Sequence, residues 1–224
     1  MRGSYQSRAG LPGPMLMAAI AAITGATLFG GGAGDYVFPW SGPAPVALGS
    51  ADAPLAPAPP LQERLPEAAR RPVDLGGGYS AAPSHRFVVE AVVLSRHPYR
   101  FGAAAAVSPL DLALGWGPMS NPALLAGLDI AQRGRFGHLR VEPGGPADTA
   151  GLGRHWANVH LVPAGAAVAR QLSGIAEGRV VRLTGALVDV SGPGGFVWRS
   201  STSRTDRGAG ACEILLVREV AVLR

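Results

Sequence analysis

The chain has 224 residues, enough for one domain with extensions, and carries 32 glycines, 20 prolines and one cysteine at a formal charge of +5. With 47% hydrophobic and only 16% charged residues it is neither a highly charged disordered chain nor a coiled coil, and a lone cysteine excludes an intrachain disulfide framework. Only one run approaches membrane-spanning length, which excludes a polytopic transporter.

The first residues carry Arg2 and Arg8, and no charge follows from Leu11 to Gly34. Basic residues before an apolar run hold that end in the cytoplasm and send the rest across the bilayer. The expected organisation is a cytoplasmic N-terminus over 1–10 and a transmembrane anchor or signal segment over 11–34. Gly31-Gly32-Ala33 offers small side chains to a signal peptidase, but the long tether that follows favours an anchor. From 35 to 83 the chain is rich in Pro, Ala and Gly, as in Ala53-Pro-Leu-Ala-Pro-Ala-Pro-Pro60. Such spacing blocks helix and central strand alike and predicts an extended, semi-rigid linker.

Residues 84–224 read as a β-rich periplasmic domain. Arg86–Leu94 is dense in β-branched residues and has the length of a buried strand. Asn121-Pro122 predicts a short helix, with Asn as N-cap and Pro at the first position. Asn158–Val162 predicts a strand, and Val168, Leu172 and Ile175 give helical spacing within 164–175. Arg179–Val190 alternates, with Val181 and Leu183 on one face, until Gly185 marks a bulge or bend. The turn at 191–195 joins it to Phe196–Arg199 as a hairpin, and Cys212–Leu223 closes the chain as a long strand. The expected fold is mainly β with one or two short helices.

The order of strands, helix, strand, hairpin and final strand over residues 156–224 resembles an OB-type small barrel, whose helix sits between the third and fourth strands. That resemblance implies a small barrel, placed after the expected N-terminal transmembrane helix, and a sandwich or an SH3-like barrel remains open for the same strand order. Three other stretches stand out: Leu110–Ser120, Asn158–Ala164 and Trp198–Glu213. Together they resemble a family of small bacterial envelope proteins of unassigned function. The resemblance implies a membrane-tethered domain and supplies no catalytic residues.

Between strands, Arg199, Ser200, Ser201, Arg204, Asp206 and Arg207 put guanidinium forks, hydroxyls and one acid into a glycine-flanked loop. Those groups suit an anion such as phosphate or carboxylate, or they satisfy one another within the loop. Cys212 with His160 as base and Asp206 or Glu213 as orienting acid has the residue types of a thiol nucleophile, without a local signature. The histidines lack HExxH-like spacing, so no metal and no cofactor is expected. Trp116, between glycines, reads as turn packing or as a stacking platform. All 20 basic residues are arginine and they are scattered, which argues against a nucleic-acid partner. The expected partners are the membrane through residues 11–34 and an envelope protein. The expected function is a non-enzymatic binding or assembly module, with a hydrolase or thiol enzyme and an oligonucleotide- or glycan-binding barrel as alternatives.

Overall fold

The computed structural model describes residues 53–146, 149–206, 208 and 210–224. The anchor or signal segment at 11–34 and the cytoplasmic N-terminus at 1–10 lie outside the described residues. No helix among the described residues is long and apolar enough to cross a membrane.

The strands are β1 (Leu61–Arg64), β2 (Val73–Gly76), β3 (Tyr79–Pro98), β4 (Leu110–Gly115), β5 (Leu128–Arg133), β6 (Phe136–Val141), β7 (Trp156–Pro163), β8 (Val180–Gly192), β9 (Phe196–Trp198) and β10 (Glu213–Val222). The helices are short: α1 (Ala103–Val107), α2 (Pro122–Leu125), α3 (Thr149–Leu152) and α4 (Ala166–Ser173). The protein is mainly β with short helices. α2 forms as its sequence requires, the Asn121 side chain accepting from the Ala123 amide at 2.9 Å.

One correction concerns the linker read over 35–83: β1, β2 and the start of β3 lie inside it. Prolines mislead there because β1 and β2 pair only with β3, and an edge strand tolerates proline nearby.

The pairings run in a ring. β3 pairs with β4, β4 with β7, β10 with β8 and β8 with β3, all antiparallel, while β7 and β10 pair in parallel. β9 extends the ring beside β8, and β5–β6 is a separate hairpin. The twenty-residue β3 makes this possible, pairing with β8 along Ser80–Val92 and with β4 along Val92–Pro98.

Period-two alternation divides the apolar side chains into two layers. Phe87, Val89, Ala91 and Val93 of β3 meet Leu112, Leu161, Leu183 and Leu215 in the interior, with Leu172 and Ile175 from the α4 region. The other faces of β8 and β10 send Val188, Val190, Ile214 and Leu216 into a second cluster against Trp198. Trp116 is 2% exposed and belongs to the interior, so it is packing rather than a stacking platform.

Gly185 serves a close approach of strands. A Cβ at this position would lie 2.0 Å from the Leu216 carbonyl oxygen. The register shift falls on the facing strand, between Val217 and Glu219. That extra residue changes the parity of β10: Leu215 and Val217 face inward before it, and Val220 packs inward after it.

Candidate functional site

Asp111 on β4 and His160 on β7 are register partners. Their neighbours Leu110, Leu112, Val159 and Leu161 fill the interior, so Asp111 and His160 face outward from the ring. On an uncovered strand both would meet water. Here both are buried, because the β5–β6 tip, Tyr99 and β9 fold over this face.

The hairpin tip supplies the countercharge. Gly134 and Arg135 are the two residues between the paired Arg133 and Phe136, with φ of +56° and +70°, the left-handed pair of a tight hairpin turn. Arg135 lacks glycine's freedom there, and its contacts offset the steric cost. Its guanidinium donates to Asp111 Oδ1 and to the Ser108 carbonyl, each at 2.9 Å, and lies 3.9 Å from the Tyr99 ring centroid. Its amide donates to the Tyr99 hydroxyl at 2.9 Å, and its carbonyl accepts from Asn158 Nδ2 at 2.9 Å. Asn158 Oδ1 in turn accepts from Gln132 at 2.6 Å. Burial first, then the Asp111 carboxylate, push the Tyr99 hydroxyl above its ordinary pKa.

His160 brings Nδ1 to 2.8 Å from Asp111 Oδ2. The approach is off the hydrogen-bonding direction, so the two atoms are in contact without a hydrogen bond between them. The imidazole tilts against Trp198, ring centroids 4.5 Å apart. Beside it opens a cavity of about 540 Å³, lined by Arg135 and Phe136 of the hairpin tip, His160, Trp198, Arg199 and Cys212 among others.

Two of the residues singled out from the sequence, Cys212 and His160, therefore share a cavity. The acid beside the imidazole is Asp111, not Asp206 or Glu213. The thiol is bonded elsewhere: Sγ accepts from Asn158 Nδ2 at 3.7 Å and donates to the Arg135 carbonyl at 3.8 Å. Burial pushes its pKa up, the opposite of an activated nucleophile.

No family model, curated protein or solved structure matches this chain. The site is therefore read from its own geometry.

The 198–213 loop is satisfied largely from within. Ser200 Oγ donates to the Ser201 carbonyl at 2.9 Å and accepts from the Ile214 amide at 3.0 Å. Ser201 Oγ donates to Asp206 at 2.6 Å. Arg204, half-buried, reaches Glu213 and Gln62 Oε1, the latter at 2.7 Å, with its guanidinium 5.1 Å from the Phe87 ring centroid. Arg199 faces the cavity instead, so these two arginines do not converge, and Arg207 lies outside the described residues. Among the described residues no group of three or more His, Cys, Asp or Glu could hold a metal ion.

Sequence reasoning missed Asp111, Arg135, Tyr99 and Asn158. The available signal was Asp111 itself, a single acid within Leu110-Asp-Leu-Ala-Leu, since a charge in an apolar strand needs a partner. That partner comes from a hairpin tip 24 residues away, which no spacing rule marks.

Glu213 gives the loop a pH response. Burial lifts its carboxyl to about 7 despite the neighbouring Arg204. The folded state thus holds this proton over a range where the unfolded chain has lost it, so the contribution of Glu213 to stability falls as pH rises from about 4.5 to about 7. The expected size is at most about 3 kcal/mol. Thermal midpoints measured across that range should decline towards neutral pH, and Glu213→Gln should flatten the decline. An unchanged slope in the variant would exclude Glu213 as the cause.

Proposed function

We propose that this chain is a non-enzymatic binding module of the bacterial envelope, built on an OB-type barrel and held to the membrane by its N-terminal segment. The observation that carries the reading is the ring order β3-β4-β7-β10-β8 with α4 between β7 and β8. In an OB barrel the second and third strands, with the loops after the first and fourth, form the ligand face. In this chain those strands are β4 and β7, and those loops contribute Ala104 and Phe196–Arg199 to the cavity wall.

The hairpin and β9 leave a pocket on that face, which suits a compact ligand or an inserted side chain better than a bound strand or glycan chain. The thiol-enzyme alternative is less well supported, because Cys212 bonds to an amide and a carbonyl. The envelope location rests on Arg2, Arg8 and the uncharged run from Leu11 to Gly34.

The test uses the full chain in cells. A photo-crosslinking amino acid at Val197, which is 60% exposed beside the cavity, is compared with one at Val222, 49% exposed on β10. The module reading expects a discrete adduct, identified by mass spectrometry, from Val197 and not from Val222. It also expects a C-terminal reporter enzyme that works only outside the cytoplasm to be active. No adduct at Val197, or an inactive reporter on a chain that is made at normal levels, overturns the corresponding half of the proposal.

A further inference from the structure

We infer that the cavity beside His160 is a site for a small organic anion with an apolar body, such as an aromatic monocarboxylate. This deepens the binding-module reading and rests on it. Four observations lead to that chemistry.

The first is charge. Among the described residues the cavity lining contains Arg135, Arg199 and His160 and no acid. Arg135 is already balanced by Asp111. Arg199 makes no ion pair among the described residues and is exposed at the mouth, so it is the cation left for a ligand. The second is the floor. His160 turns its Nδ1 edge to Asp111, which leaves the opposite ring edge to the cavity it lines. An anionic group held by Arg199 can also meet that edge.

The third is the wall. Phe136 is 43% and Val197 60% exposed, and both line the same cavity beside Phe196. Apolar side chains left uncovered at a pocket mouth gain free energy when a ligand covers them. The fourth is size. About 540 Å³ lies within the range of small-molecule pockets and is too little for a long peptide. An acid without an apolar body would leave the walls wet, and a neutral apolar compound would leave Arg199 unanswered.

The probe is 2-naphthoate, titrated by calorimetry into the purified full-length chain, against 2-naphthamide, which has the same body without the charge, and acetate, which has the charge without the body. The expected result is that naphthoate binds about ten-fold more tightly than naphthamide and that acetate does not bind measurably. Arg199→Gln should weaken naphthoate about ten-fold and leave naphthamide unchanged. A fourth arm is a short peptide ending in leucine with a free carboxylate. If that peptide binds and naphthoate does not, the small-molecule assignment is overturned in favour of a peptide terminus.

If naphthoate and naphthamide bind equally, and Arg199→Gln changes neither, the anion assignment falls while the cavity stands as a binding site. If no probe binds at millimolar concentration, the ligand class falls. The Val197 adduct then decides separately whether the face binds anything.

Discussion

Arg135→Met lowers the unfolding free energy by about 3–5 kcal/mol, the cost of leaving a buried charge without its partner. The loss reaches beyond one ion pair. Asp111 is fully enclosed, with Arg135, His160 and the hydroxyls of Tyr99 and Ser108 beside it among the described residues. The Ser108 contact is long at 3.5 Å and the His160 contact is misaligned, so methionine removes the one well-directed charged bond. It also removes the guanidinium from the Tyr99 ring and from the Ser108 carbonyl. Denaturant melts of the variant give the size.

The double variant Arg135→Met with Asp111→Leu separates two explanations. If the cost is uncompensated charge, removing both partners recovers most of the stability, because apolar replacements of buried ion pairs are often neutral or better. If the double variant is no more stable than Arg135→Met, the penalty comes from the turn and not from Asp111. The Tyr99 phenol offers an independent signal. Asp111 contributes to its raised pKa, so Asp111→Leu moves its spectroscopic titration back towards the ordinary value.

Gly185→Ala is the second large effect. A methyl group 2.0 Å from the Leu216 carbonyl oxygen meets backbone and not a flexible side chain. Either β8 and β10 separate, or the strand bends and disturbs Leu183 and Leu187 in the interior. Overpacking of this kind costs about 3 kcal/mol, at the upper end of the usual range. The expected readout is a lower denaturant midpoint and faster amide exchange in β8 and β10. Ala186→Gly, one residue along the same strand, is the matched control. It should cost about 1 kcal/mol through chain entropy and lost packing. Equal effects at 185 and 186 would show that close strand approach is not what Gly185 provides.

How much of this was legible depends on how local each signal is. β3, β7, β8 and β10 were visible because Arg86–Leu94, Asn158–Val162, Arg179–Val190 and Cys212–Leu223 are apolar, β-branched runs. α4 followed from the spacing of Val168, Leu172 and Ile175, and α2 from the Asn121-Pro122 cap. β4 was less visible: Leu110-Asp-Leu-Ala-Leu-Gly has six residues, a charge and a following Trp-Gly-Pro. β5 and β6 carry Asp129, Arg133, His138 and Arg140 on exposed positions and lack a buried run.

The site was half legible. His160 and Cys212 drew attention as residue types, and Arg199 as part of a basic loop. Their common cavity depends on the hairpin lying over β4 and β7, and that is a tertiary fact. The acid proposed beside His160 was wrong for the same reason: Asp206 and Glu213 are near Cys212 in sequence, whereas Asp111 reaches His160 through strand register.

The parallel pairing of β7 and β10 has a consequence for assembly in time. Among the described residues β10 is the strand latest in sequence, yet it sits between β7 and β8, both made before it. During synthesis the partial chain can form the β3–β8 and β4–β7 pairs but holds two open edges until residues 213–222 arrive. Exposed edges invite pairing with other chains, and closure waits on contacts distant in sequence, which slows folding. Growing chains therefore pass through a sticky, unfinished stage whose length is set by translation of the final strand, and a stop codon just before Glu213 would make that stage permanent.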